Sequence, residues 1–174
     1  MTDITDELLR VHDTLARREN MSSVYIAQNA MAEKPLLDAI AAAILTLGGR
    51  HGPIVMTQEL LEEPDIRSVV QDRLDQGLLV PGWGSGFVKG GPDRVFDDLD
   101  EMLHTDHQSM WKKMAEATRL MHDKDKWVWP NAACYTAAVA VVTSVPSDIS
   151  PSLFLRGRLD AWVEIYANNY NPRL

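Results

Sequence analysis

The chain has 174 residues, 45% of them apolar, with 25 acidic against 17 basic side chains and a formal charge of -8. This apolar content supports a packed core of one or two small units, and the acidic excess argues against general affinity for nucleic-acid phosphates or anionic lipid surfaces. A lone cysteine, Cys134, excludes an internal disulfide, the acidic opening MTDITDELL is unlike a secretory signal, and no apolar run is long enough to span a bilayer, so a soluble protein of a reducing cytoplasm is expected.

In chain order, apolar residues recur at helical rather than strand spacing. Leu8, Val11, His12 and Leu15 mark a first helix, and a second follows Asn20–Ser23. Pro35 opens a helix through the alanine-rich Ala39–Leu47, which Gly48 and Gly49 end. A helix over Pro53–Glu62 precedes one bracketed by Pro64 and Gly77, in which Ile66, Val69, Val70 and Leu74 form the apolar strip. Further helices are predicted over Arg94–Leu103, Gln108–Asp123, Asn131–Val145 and Pro151–Asn168, making about nine in an all-α chain. The exception is LLVPGWGSGFVKGGP, Leu78–Pro92, where five glycines exclude a sustained helix. Composition alone reads this as a tight turn or short hairpin. Glycines also let backbone N–H groups approach an anion, and Lys89 adds a positive charge, so a phosphate-bearing ligand is the functional alternative.

Four segments, in this order, resemble those of citrate synthases and their 2-methylcitrate synthase and citryl-CoA lyase relatives. They are Asn20–Ser23, LGGRHGP, VPGWGSGFVKGGPDR, and WPNAACYTAAVAV followed by SVPSDISPSLFLRGRLDAW. The resemblance covers residues 17–168 and only the C-terminal half of that family. It implies an all-helical fold with residues 1–55 and 140–174 as a partial large domain and 56–139 as a small domain. It also implies a dimer or a heteromer with another chain, with alanine faces at 39–43 and 137–140 suited to close helix contact.

The site residues that the resemblance implies are partly kept and partly lost. His51 takes the place of the histidine that hydrogen-bonds the thioester carbonyl, and Arg94 and Arg158 take those of arginines that hold carboxylates. Arg17 stands where a keto-acid-binding histidine is expected, and Arg173 is a loose match to an arginine that reaches the partner's site. Gly82, Trp83, Gly84, Lys89 and Asn131 stand where the family binds coenzyme A. Ser85, however, replaces the histidine that protonates the ketone, and Ala133 replaces the aspartate that removes the acyl C–H proton, with Cys134 and Asp93 the nearby candidates to stand in for it.

Condensation by the family route needs both a base and a donor to the enolate oxygen, and loss of a base costs about 10² to 10⁴ in rate. Decarboxylation or carbon–carbon cleavage forms an enolate without C–H deprotonation and survives these losses. The expectation is therefore a divergent protein handling an acyl-CoA, a di- or tricarboxylate, or both, by cleavage, decarboxylation or altered condensation. The alternative is a non-catalytic subunit that keeps only ligand or partner binding. A thioester of coenzyme A would be substrate rather than cofactor, and no metal is expected. His104 and His107 read as solvated histidines at the end of one helix and the start of the next, and Trp127 and Trp129 as packing residues at a domain join.

Overall fold

A computed structural model describes residues 3–18, 21–48, 52–84 and 91–170. Among them are ten α-helices and one 3-10 turn, and the sole β-type pairing is an isolated bridge between Trp83 and Pro130. The helices are α1 (Ile4–Arg17), α2 (Met21–Met31), α3 (Leu36–Gly48), α4 (Gly52–Glu62), α5 (Ile66–Asp75), α6 (Asp97–Asp106), α7 (Gln108–His122), α8 (Ala132–Val142), α9 (Pro151–Arg156) and α10 (Leu159–Asn169). The all-α expectation holds.

Local chemistry sets most boundaries. Asp3 caps α1 through Thr5 N–H, and Asp65 caps α5 through Ser68 N–H, each satisfying a backbone donor that the helix start leaves open. Gly77, at φ 69°, ends α5 in a conformation that costs glycine nothing, while Leu78 N–H returns to Arg73 C=O at 2.8 Å. Lys113 donates from Nζ to the carbonyls of Leu61 and Glu63, closing the C-terminus of α4.

Two predicted helices change form. The segment expected to be helical from Arg94 begins as a 3-10 turn, Arg94–Phe96, because Asp93 accepts from Val95 N–H and Phe96 N–H closes on Asp93 C=O. This tighter start delivers the Phe96 ring onto Tyr135, with centroids 4.4 Å apart and planes 11° from parallel. The last predicted helix is two, α9 and α10, joined through Gly157 and Arg158. The cause lies in α1, because a Cβ at Gly157 would stand 2.5 Å from His12 Cβ and 3.0 Å from Leu9 C=O. The chain turns where α1 presses against it.

The centre of the fold is α8. Every residue from Ala133 to Ala140 is buried, and the helix packs on α4, α1 and α9. Two apolar clusters meet across it. One gathers Leu8, Val11, Leu61, Val70, Leu99, Leu103 and Met114 with Tyr135 and Val139, and the other gathers Ala16, Ile26, Ala39, Ala43, Ile54, Phe154 and Trp162 with Ala133. Both α1 and α8 contribute to both clusters.

The expected alanine interfaces are therefore corrected. Ala137–Ala140 is enclosed by the chain itself, and Ala39 and Ala43 are buried in the second cluster, with α3 packed on α2 and α10. Small side chains allow close helix approach, and here that approach is internal. The outer strip of α3 is instead Leu37, Ala41 and Ile44, with Leu37 77% exposed. Trp127 is corrected as well. It is 71% exposed and stacks on His122 at 4.8 Å, while only Trp129 is half-buried.

Because α1 leaves no room for a methyl group at Gly157, Gly157→Ala is expected to lower unfolding free energy by about 1–3 kcal/mol, the usual cost of overpacking. Urea denaturation followed by helical circular dichroism measures it. A change within 0.5 kcal/mol would mean that α1 and the α9–α10 corner relax apart without loss.

Candidate functional site

The N-terminus of α8 is tied to the described start of the glycine loop. Asn131 Oδ1 accepts from Ala133 N–H at 2.9 Å and Cys134 N–H at 3.3 Å, capping the helix, while Nδ2 donates to Gly84 C=O at 2.7 Å. Asn131 N–H donates to Gly82 C=O at 3.0 Å, and Gly84 N–H donates to Trp129 C=O at 2.9 Å. Gly82 and Gly84 both have φ of 88°, and a Cβ at Gly82 would stand 2.6 Å from Thr57 Cγ2, so the loop needs glycine there both for conformation and for space. Trp83 is buried, with its indole N–H donating to Thr118 Oγ1 at 2.8 Å.

Gly82, Trp83, Gly84 and Asn131, expected together at a coenzyme A site, are thus brought together. The side chains of Trp83 and Asn131 are engaged by the fold itself. His51, Ser85 and Lys89, and the loosely matched Arg173, lie outside the described residues.

The three arginines expected to hold carboxylates differ sharply. Arg17 is saturated by the chain's own acids: Nε and Nη2 donate to Asp13, and Nη1 donates to Glu164 at 2.5 Å, which raises its pKa further. Arg94 is exposed and makes no ion pair among the described residues. Its neighbour Asp93 pairs with Arg18 at 2.7 Å. Arg158 is only 6% exposed, at the start of α10, with its guanidinium carbon 4.0 Å above the Phe154 ring. Its Nε is buried without a hydrogen-bond partner, and no carboxylate pairs with it among the described residues. Desolvation pulls its pKa down to about 10, which still leaves it cationic at neutral pH.

Phe154 in turn lies 4.6 Å from the His12 ring. His12 Nε2 is 2.8 Å from Thr136 Oγ1, and since that hydroxyl donates to Ala132 C=O at 2.6 Å, Nε2 is the donor to Thr136.

The position expected to carry a base is dry and apolar. Ala133 is 7% exposed and packs in the cluster of Ala16, Ile26, Phe154 and Trp162. Neither stand-in is poised for proton abstraction. Cys134 is fully buried and its thiol pKa is pushed well up by desolvation, and Asp93 is engaged with Arg18 and Val95 N–H.

On the far side of α8 lies a cleft of about 790 Å³ between α6 and α7, lined by Asp97, Asp100, Glu101, Trp111, Trp129 and Tyr135 among others. Residues 97, 100, 101 and 104 follow the spacing of one helix face, the signal by which the sequence could have revealed it. Asp100 accepts from Tyr135 O–H and Trp111 Nε1–H, each at 3.1 Å, and the Tyr135 hydroxyl is held protonated by burial and by that carboxylate. His104, expected to be a solvated helix-end histidine, is exposed in the last turn of α6 and lies 4.5 Å from Trp111, while His107 sits between α6 and α7. No group of three or more His, Cys, Asp or Glu among the described residues could hold a metal ion, and no described helix is long and apolar enough to cross a membrane.

An all-helical chain with a glycine loop tied to the cap of a buried central helix has the fold of citrate synthases and citryl-CoA lyase. A solved citryl-CoA lyase from Hydrogenobacter thermophilus matches 100% of this chain and 75% of its own, with a TM-score of 0.77 and 16% identity. The citrate synthase of Thermotoga maritima MSB8 matches 100% of this chain and 53% of its own, with a TM-score of 0.73 and 18% identity. The chain thus spans about half the length of that synthase. No family model and no curated protein sequence matches it.

Asn131 joins the cap to the loop, so its two roles separate by substitution. Asn131→Ala is expected to cost about 2–3 kcal/mol, because it removes a cap and a tie at once, whereas Asn131→Asp keeps the acceptor and costs about 1 kcal/mol. An Asn131→Asp variant as stable as the parent in urea denaturation would show that the link to Gly84 contributes nothing, and equal losses in the two variants would show the same of the cap.

Proposed function

We propose that this chain binds a di- or tricarboxylate through Arg158, within a divergent citrate-synthase-like site that handles an acyl-CoA by carbon–carbon cleavage or decarboxylation. The observation that carries the reading is the buried guanidinium of Arg158, with Nε unpartnered and no carboxylate paired to it among the described residues. Enclosing an unpaired charge costs several kcal/mol, and proteins accept that cost where a partner arrives later. Arginine presents a planar fork that matches a carboxylate bidentately, and the Phe154 ring fixes the plane of that fork. Arg94, exposed and without an ion pair among the described residues, is the second carboxylate contact, and His51 the donor to the thioester carbonyl. With Ala133 in an apolar cluster and Cys134 protonated, an enolate generated by bond cleavage suits this chain better than one generated by C–H deprotonation.

The apolar setting of Ala133 also supports a second reading, a non-catalytic subunit that retains carboxylate binding. In either reading the protein acts as a dimer, or with a partner chain, through the outer strip of Leu37, Ala41 and Ile44.

Arg158→Met distinguishes a ligand site from a structural arginine. Replacing an unpaired buried charge with an apolar side chain of similar length is expected to leave the free protein as stable or more stable. At about 100 times the dissociation constant, citrate should stabilise the parent protein by about 2.7 kcal/mol and the variant not at all. Thermal unfolding with citrate, oxaloacetate and acetyl-CoA makes the comparison. Equal stabilisation of both proteins, or of neither, would remove Arg158 from the site. Turnover of a CoA thioester by the parent protein, lost in His51→Ala, would then separate the enzyme from the non-catalytic subunit.

A further inference from the structure

The cleft between α6 and α7 has an electrostatic character opposite to that of the Arg158 site. On its α6 wall, Asp97, Asp100 and Glu101 face inward within about one helical turn. None of the three is paired with a cation among the described residues. Asp100 is oriented by two neutral donors, Tyr135 and Trp111, which fix the carboxylate without cancelling its charge. Arg119, which also lines the cleft, is paired with Glu116 and Asp123 at 2.8 Å each, Arg18 is paired with Asp93, and the lining histidines His104 and His122 pack against Trp111 and against Trp127 and Trp129. The lining also includes four aromatic side chains, Trp111, Trp129, Phe96 and Tyr135, the last two stacked on each other.

We propose that this cleft is a binding site for a small organic polycation, a di- or polyamine. Three observations converge on that class. Three uncompensated carboxylates on one wall demand more than one positive charge. Aromatic faces attract alkylammonium groups and cover the methylene chain between them. A volume of about 790 Å³ suits a flexible small molecule rather than a bare ion, and the carboxylates and histidines are not grouped closely enough to hold a metal. Polyanions such as the phosphates of coenzyme A are repelled by the same wall. The site stands independently of any ligand at Arg158.

Isothermal titration of the full chain with spermidine at low ionic strength tests the proposal, with 1,8-octanediol as an uncharged chain of similar length. Saturable one-to-one binding of spermidine and none of the diol is expected. The double variant Asp97→Asn/Glu101→Gln should bind at least about tenfold more weakly, since both carboxylates are exposed and their loss leaves the core intact. Asp160→Asn, an equal change of charge type on exposed α10, and Arg158→Met should each bind as the parent does. Absence of saturable binding, equal binding of the diol, or a loss in Asp160→Asn as large as in the double variant would overturn the proposal. Retained spermidine affinity in Arg158→Met alongside lost citrate stabilisation would place the two ligands in separate sites.

Discussion

The fold depends on burying one short helix, α8, on every side. A helix enclosed all round cannot be amphipathic, and α8 accordingly reads AACYTAAVAVV, with alanine at the positions where neighbours come closest. Such a helix has no water to satisfy its first backbone N–H groups, so its start must be capped from within the protein. Asn131 does this, and with its remaining hydrogen-bonding groups holds Gly82 and Gly84. The glycine loop is consequently placed by the same residue that makes the central helix possible.

A chain with a formal charge of -8 buries Arg158 with no carboxylate partner among the described residues, so that on the proposed reading position rather than composition creates a positive site. Arg17 and Arg18 show a common outcome, in which acids of the chain pair with an exposed guanidinium. Arg158 differs in being buried, with its guanidinium over the Phe154 ring. Exclusion of water also strengthens whatever anion does reach it. The same apolar setting that argues against proton abstraction at Ala133 favours anion capture a few side chains away.

Helix type was legible because apolar spacing, proline and glycine act locally, and the boundaries of α4, α5 and α7 follow from them. The break at Gly157 was not legible, since its cause is contact with His12 and Leu9 at the other end of the chain. The 3-10 start at Arg94 is set locally by Asp93, but the partner on which it places Phe96, Tyr135, lies in another helix that no local pattern reveals. Arg158 and Asn131 were reachable only through the family resemblance, because no local pattern distinguishes a buried arginine from an exposed one or a bridging asparagine from a simple cap. The alanine runs were misplaced for a related reason. Small side chains signal close approach, but nothing local says whether the approaching helix belongs to the same chain. The acidic face of α6 was written in the spacing of residues 97, 100, 101 and 104, yet its partner wall on α7 emerges only when the helices pack.

On the proposed reading, α8 also separates two ligands of opposite sign. Ala133 and Tyr135 are two residues apart, a rotation of about 200°, so one faces the Arg158 cluster and the other the acidic cleft. A helix with its side chains is about 10–12 Å across, close to the Debye length at physiological salt. Attraction between an anion on one side and a cation on the other therefore falls to about 1 kcal/mol or less, enough for a weak mutual preference and too little for a switch. Any stronger coupling would have to pass through α8 itself, by a shift of the cap at Asn131 or of the Tyr135–Asp100 contact. A helix packed on all sides resists such shifts, because its neighbours leave it no second arrangement. The two sites are thus expected to act nearly independently, each set by the face of α8 it shares.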